Sequence, residues 1–383
     1  MYNLFAVTIP GLEPFTQQEL SSLGIKPKSQ ISKNMPGESK EDTGGVEFDA
    51  SLIDLYRANL HLRTASRILA RLGDFYTVAF SELRKKASRL AWEQFLFPGQ
   101  TVAIRVTCHR SRLFHSDAVA ERVAGAISDR LGKPSPFVKL NEGQESMPQL
   151  VLVRLVNDHC MISLDTSGSR LHKRGYKVET AKAPLRETLA AGLLFAAGWD
   201  GISPLLDPFC GSGTIPIEAA MLHRRIAPGK NRIFGFMNWK NYDPKMWQSV
   251  LEDAVSQEIP SSTPIIGSDR DAGAIRIARA NAERAGVKED IQFSCHSFSD
   301  IEVPNEPGWI VTNPPYGIRI RSSRDLRNLY SKLGDVLRVV CPQWKIGILC
   351  SDKYIVGHTH IGFEREIPLV NGGIPVKYFA GHI

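Results

Sequence analysis

Residues 311–320 read VTNPPYGIRI. An apolar run stops abruptly at Asn313-Pro314-Pro315-Tyr316, because proline cannot donate to a strand ladder and fixes its own φ. An ordinary tight turn would use Asn-Gly. Here the Asn313 side-chain oxygen and the Pro314 carbonyl become two rigid acceptors, since Pro315 restricts the residue before it. Acceptors held this way need little reorganisation at a transition state. Tyr316 adds an aromatic face on which a planar ring can stack, worth about 1–3 kcal/mol. Taken alone, the segment also reads as a proline turn with its tyrosine in a core.

Two more segments carry ligand chemistry. In LLDPFCGSGT (205–214), Gly211 and Gly213 lie between a strand and a helix, where glycine lets the backbone approach a ligand closely. Asp207 at that strand end can face a cation, such as an amino group or a sulfonium; its blander reading is a cap or turn former. IIGSDRDAGAI (265–275) ends its strand on Asp269, placed to accept from a ribose diol, whereas Asp271 suits the start of the next helix. Position 216 is proline, so the G-x-G-x-x-G fingerprint fails, and no GKS or GKT follows, so this is not a P-loop. The ligand expected is nucleoside-bearing, with no obvious need for phosphate contacts. Glu218 reads as a helix-surface or first-turn charge.

These residues need strands to bring them together. The second half alternates strand and helix: APLRETLAAGLLFAAGW is an apolar helix, then PLLDP, PIIGSD, IQFSCHSF, GWIVTN and WKIGILCSD read as strands, with helical segments between most of them. Repeated βα units predict a doubly wound, mostly parallel sheet, whose ligands sit at the C-terminal strand ends. Asp207, Asp269 and Asn313 should therefore share one crevice. The first half mixes strands (LFAVTI, GVEFDA, VAIRVTCHR, and QLVLVRLV with HCMISLD around an Asn-Asp turn) with helices, and lacks a phosphate-binding glycine loop. ASLIDLYRANLHLRTASRILARLGDF carries a long helical periodicity that ends or breaks near its glycine. This half reads as a small α+β module ending near residue 166.

DPFCGSGT, GSDRD and NPPYG, in this order and spacing, resemble class I S-adenosylmethionine-dependent methyltransferases that modify exocyclic amines. DTSGSRLHKRGYKVETAKAPLRETLAAGLL further resembles bacterial RNA guanine-N2 methyltransferases with a THUMP domain, of the 23S ribosomal RNA large-subunit methyltransferase L type. The resemblance implies an N-terminal ferredoxin-like segment (1–44), a THUMP RNA-binding domain (45–166) and a Rossmann-like methyltransferase domain (167–383). It implies that Asp207, Cys210, Gly211 and Gly213 line the methionine side of S-adenosylmethionine, that Asp269 takes the ribose hydroxyls and that Arg270 flanks the adenine. Near the end of the fourth strand the family often has an acidic residue that contacts the adenine amine. Here Ser297 and Phe298 stand in that region, so a hydroxyl, a carbonyl or the Phe298 ring would meet the adenine.

An exocyclic amine suits the catalytic tetrad Asn313, Pro314, Pro315 and Tyr316. Its lone pair is delocalised into the base, and two acceptors can hold its two protons while the nitrogen pyramidalises. No strong base is needed, because the methylated amine is cationic and loses a proton readily. The tetrad serves guanine, adenine or cytosine alike; guanine, and RNA over DNA, come from the resemblance. A base within a helix must be unstacked to reach the pocket. Arg319, Arg321, Arg324 and Arg327 follow the motif, and Lys173, Arg174 and Lys177 lie at the domain junction; all could grip phosphates, or be solvated surface.

Bulk properties agree. The chain has 383 residues and a formal net charge of +7, which permits a polyanionic partner. Its six cysteines form no CxxC and no zinc spacing, so no metal is expected, and scattered thiols suit a reducing cytoplasm. No apolar run reaches membrane-spanning length, and the N-terminus does not read as a secretory signal. A transfer RNA guanine-N2 methyltransferase, an adenine-N6 methyltransferase of RNA or DNA, and a non-enzymatic RNA-binding assembly protein with a vestigial pocket remain as alternatives. Pro216 and the lack of a hydride-transfer constellation disfavour a nicotinamide oxidoreductase.

Overall fold

The computed structural model describes residues 1–28, 44–138, 148–178, 185–260, 263–316 and 323–383. The chain forms two compact units. The first gathers residues 1–8, 17–171 and 232–252; the second gathers 9–16, 172–231 and 253–383.

The first unit is built on a seven-stranded sheet of β1 (Tyr2–Thr8), β2 (Gly45–Ala50), β3 (Ala65–Tyr76), β4 (Val102–His109), β5 (Phe137–Val138), β6 (Gln149–Val156) and β7 (His159–Asp165). Their spatial order is β2-β1-β3-β7-β6-β4-β5. The sheet is thus continuous across residues 44 and 45, because β1 pairs antiparallel with both β2 and β3. Four helices accompany it: α1 (Glu13–Ser22), α2 (Leu52–His61), α3 (Phe80–Ala87) and α4 (Ser116–Leu131). The β6–β7 turn is the expected Asn-Asp, with both residues at positive φ.

The long helical period over residues 50–75 is cut in two. Ser51 opens α2 with a reciprocal capping box, its hydroxyl accepting from the Asp54 amide while the Asp54 carboxylate accepts from the Ser51 amide. The helix stops at His61, and Ala65–Tyr76 forms β3 instead. β1 and β7 flank this segment and supply its backbone partners, with Ile68 and Ala70 facing inward. Strand pairing on both sides outweighs a modest helical preference.

The second unit holds a seven-stranded sheet in the order β10-β9-β8-β11-β12-β14-β13. Its elements are α5 (Glu187–Ala197), β8 (Leu205–Asp207), α6 (Thr214–His223), β9 (Ile265–Asp269), α8 (Ala272–Ala285), β10 (Ile291–Cys295), β11 (Trp309–Thr312), α9 (Ser323–Val340), β12 (Lys345–Cys350), α10 (Lys353–Gly357), β13 (Gly362–Asn371) and β14 (Ile374–His382); α7 (Pro244–Ser256) begins in the segment that joins the first unit. The five strands β8 to β12 are parallel, and β14 runs antiparallel between β12 and β13. Leu205, Leu206, Ile265, Ile310, Val311, Ile346 and Ile348 are all buried, the near-continuous apolar reading of a covered parallel sheet.

From β8 the chain winds outward through β9 and β10, then returns to the other side of β8 as β11. The strand order therefore reverses between β8 and β11, and such a switch point opens a crevice at the C-terminal strand ends. Asp207 ends β8 and Asn313 follows β11, so the two most chemically distinctive turns meet there.

Candidate active site

Three strand ends converge. The Thr312 hydroxyl, last on β11, donates to Asp207 Oδ1 at 2.7 Å, and the Phe209 amide donates to the same oxygen at 3.2 Å. Asp269 ends β9 and accepts from the Gly211 amide on Oδ2 and the Asp271 amide on Oδ1, each at 3.0 Å. A carboxylate has about four lone-pair sites, so Asp269 keeps acceptor capacity for a diol. Asp271 caps α8 through Gly273 and Ala274, as its position suggested.

Asp207 is 1% exposed. Burial pushes its pKa up to about 7; the bonds from Thr312 and the Phe209 amide pull it down, and the charge of Asp269 adds a further upward push. A cationic ligand group beside it would favour the ionised form. Cys210 is buried next to both carboxylates, and burial raises its thiol well above the usual range, so it stays neutral.

The two turn glycines differ in what they allow. Gly211 has φ +52 and a Cβ there would meet no described residue within 4 Å, leaving room over the turn. Gly213 has φ +81, and its missing side chain faces Ala278 and Phe293 at about 3 Å. Gly213 lets the turn pack on α8 and β10, while Gly211 lies on the open side.

Asn313 Oδ1 is buried and has no hydrogen-bond partner among the described residues. An orphaned acceptor costs about 1–3 kcal/mol, which a ligand N–H would remove. Pro314 is buried, and Pro315 offers its carbonyl to the Tyr330 hydroxyl at 3.5 Å. Tyr316 is 6% exposed, and its hydroxyl accepts from the Asn371 amide at 3.0 Å. An open stacking face is therefore not on display here; the ring sits within the core of this unit.

Of the residues expected near an adenine, Arg270 is exposed. Ser297 caps a single 3₁₀ turn (Phe298–Asp300), its hydroxyl accepting from the Ser299 amide. Phe298 is buried against Phe209, with ring centroids 5.3 Å apart. Phe209 belongs to the glycine-rich turn, so this pair packs that turn against the 3₁₀ turn that follows β10.

The basic residues divide. Lys173 and Arg324 are exposed and Arg327 is half-buried, while Arg319 and Arg321 lie outside the described residues. Arg174 corrects the phosphate-grip expectation. It is 4% exposed and pairs with the fully buried Glu218 at 2.7 Å, and the Tyr176 hydroxyl donates to the same carboxylate at 3.0 Å. Glu218 is correspondingly no helix-surface charge. The Lys177 ammonium is also engaged, donating to the Leu185 carbonyl at 2.6 Å and the Thr214 hydroxyl at 2.8 Å. Burial lowers its pKa, against the pull of Glu187 and Glu218. Arg284 donates to the Tyr176 carbonyl and to Asn281, and Asn281 donates to the Ser212 carbonyl. Residues 174–177 thus clamp α6, α8 and the glycine-rich turn. Thr312, Tyr330 and Asn371 had not been singled out. Only Asn371 had a local signal, the Asn-Gly-Gly of a hairpin.

Acidic ends on adjacent parallel strands, a glycine turn into a helix and an acceptor at the switch point define a class I methyltransferase domain. Comparison with known proteins agrees. The family model described as RMKL-like, methyltransferase domain matches residues 174–375, the RlmL ferredoxin-like domain matches 3–69 and the THUMP domain matches 78–165. A Synechocystis protein named "Putative RNA methyltransferase slr0064" is 33% identical over 374 residues, 97% of this chain and 94% of that protein. The "Ribosomal RNA large subunit methyltransferase K/L" of Syntrophotalea carbinolica is 34% identical over 400 residues, 98% of this chain and 53% of that protein. This chain spans about half the length of such K/L relatives. Among solved structures, SMU.472, described as "a putative methyltransferase complexed with SAH", superposes with a TM-score of 0.88 at 28% identity, covering 99% of this chain and 97% of that one. A Listeria monocytogenes chain described as "a predicted N6-adenine-specific DNA methylase" gives a TM-score of 0.86 at 31% identity, covering 99% and 95%. The chain belongs to the RMKL-like family of S-adenosylmethionine-dependent methyltransferases, in its form with ferredoxin-like and THUMP domains.

Two outcomes test this site. Glu218→Ala leaves Arg174 charged and buried, so it should cost about 3–5 kcal/mol in urea unfolding; a loss within about 0.5 kcal/mol would refute the buried pair. The folded pKa of Asp207 lies above the ordinary 3.8, so its stabilising proton is present at pH 4 and lost as pH rises through about 7. Asp207→Asn keeps an acceptor for Thr312 without the charge. It should raise the thermal midpoint at pH 8 and change little at pH 4; a lower midpoint at pH 8 would refute the buried-charge account.

Proposed function

We propose that this chain transfers a methyl group from S-adenosylmethionine to the exocyclic N2 amine of a guanine in RNA, in the large-subunit ribosomal RNA. The observation that carries the reading is the buried Asn313 Oδ1 at the switch point, without a hydrogen-bond partner among the described residues and one residue from the Thr312–Asp207 bond. The names of the K/L relatives support ribosomal RNA, and the THUMP match supports an RNA partner.

The residues present fit the donor: open space over Gly211, a carboxylate with spare lone pairs at Asp269 and a buried carboxyl at Asp207. S-adenosylmethionine, when bound, supplies an electrophilic methyl on a sulfonium. Asp207 would lie toward its methionine side, with Cys210 and Gly211 lining the turn. Asp269 would take the ribose hydroxyls. Arg270, Ser297 and Phe298 would border the adenine. Asn313 and the Pro314 carbonyl accept the two amine protons, orienting the nitrogen lone pair along the transfer direction. Fixed acceptors of this kind carry much of a transition-state effect because they need not reorganise. Tyr316 would stack on the target base once the base displaces part of what covers the ring. Lys173, Arg324 and Arg327 would contact flanking phosphates.

A second reading, methylation of an adenine amine, is favoured by the name that the Listeria structure carries. The acceptor pair serves either base. Incubating the protein with isotope-labelled donor and RNA, then identifying the nucleoside by mass spectrometry, should give N2-methylguanosine. Methyladenosine as the sole product would establish the second reading, and product from DNA alone would remove RNA as substrate. Asn313→Ala should lower kcat by about 10²–10³-fold with donor affinity unchanged. Reversing Arg324 and Arg327 to Glu should weaken RNA binding and flatten the log–log salt dependence by roughly 1 for each phosphate no longer neutralised. An unchanged slope would make both arginines ordinary surface.

A further inference from the structure

We propose that the tip of the β13–β14 hairpin positions the target base: Asn371 sets the Tyr316 ring, and Ile374 supplies an apolar contact to the nucleotide. This rests on the reading of Asn313 to Tyr316 as the reaction centre.

The tip is a two-residue turn. Asn371 and Ile374 are the last paired residues, and Gly372 and Gly373 between them have φ +60 and +85. Positive φ at both central positions is the type I′ hairpin turn, which glycine fills without strain. A Cβ at either glycine would meet nothing within 4 Å, so conformation rather than crowding calls for glycine there. The tip is consequently narrow and can come close to a bound nucleotide.

Register decides which side chains face the reaction centre. Directly paired residues share a face, and side chains alternate along each strand. Leu369, Asn371, Ile374 and Val376 therefore lie on one face. Leu369 and Val376 are buried in the core, whereas Ile374 is 52% exposed. The core-facing side of the hairpin thus emerges at its tip as an apolar side chain beside Asn371. Asn371 itself reaches the Tyr316 hydroxyl at 3.0 Å. A bond from Nδ2 to a phenol hydroxyl fixes the ring at its far edge, leaving its faces for packing. The two residues are 55 positions apart, so the hairpin tip and the catalytic turn are tied at this point.

An alternative is that Asn371 only satisfies a buried hydroxyl, which would show in stability and not in substrate handling. A double-mutant cycle separates the two. Asn371→Ala should reduce kcat/KM for RNA by about threefold to tenfold, the range of one net hydrogen bond, with donor affinity unchanged. In a Tyr316→Phe background it should have no further effect. Asn371→Asp, able to accept from the Tyr316 hydroxyl, should recover much of the loss. Ile374→Ala should raise KM for RNA several-fold while leaving kcat, donor affinity and the thermal midpoint near wild type. Additive effects of Asn371→Ala and Tyr316→Phe, or an unchanged KM in Ile374→Ala, would overturn the proposal. Asn313→Ala, measured alongside, keeps the failures apart: full activity there removes the reaction centre itself, whereas its loss with silent tip variants removes only the role of the tip.

Discussion

One buried hydrogen bond, from the Thr312 hydroxyl to Asp207, ties together the two strand ends on which the rest of the site depends. It crosses the switch point between β8 and β11, the two strands from which the sheet winds in opposite directions. On one side lies the glycine-rich turn; on the other, the next residue is Asn313. The distance between the glycine-rich turn and the Asn313 turn is therefore set by a pair of adjacent parallel strands together with this contact. A methyl transfer is sensitive to in-line geometry, and a shift of about 1 Å can cost about 10²-fold. Placing both turns on neighbouring strands is the least deformable arrangement that a doubly wound sheet offers.

Electrostatics around this contact run against burial. Asp207 is held where its charge is poorly solvated, and Asn313 Oδ1 is held where it meets no donor among the described residues. Both would be unfavourable in a purely structural core. Both become favourable when a cation approaches one and an amine approaches the other, and that change is what ligand binding can use. The surrounding apolar sheet supplies the stability that lets two such groups persist.

How much of this was legible depends on the range of the interactions. The strand–turn–helix units, the acidic strand ends and the Asn-Pro-Pro-Tyr stop are local, and the structure joins Asp207 to Thr312 and Asp269 to Gly211 across neighbouring strand ends. Asp271 as a helix cap is equally local. Arg174 was misread because RLHKRGYK looks like surface charge from composition alone. Its partner Glu218 is 44 residues away and itself reads as a helix-surface or first-turn charge. Thr312 was invisible for a similar reason: its role exists only once β11 lies beside β8. The residues from 65 to 76 carried a helical period, yet β1 and β7 recruited them as a strand, which no local pattern encodes.

The buried cluster under α6 bears on why the glycine-rich turn is so well placed. An Arg–Glu pair in a core gains little net stability, since desolvation of both ions offsets their attraction. Apolar residues of similar size could fill the same volume. What they could not do is fix direction. Arg174 and Tyr176 fork onto one carboxylate, Lys177 reaches the first residue of α6, and Arg284 and Asn281 carry the chain of bonds to the Ser212 carbonyl. Each bond is directional, and together they fix the rotation and height of α6 relative to α8. Gly213, packed against Ala278 and Phe293, then has one available position. The polar clamp sets the helix, the helix sets the turn, and the turn presents the open side of Gly211 to the crevice.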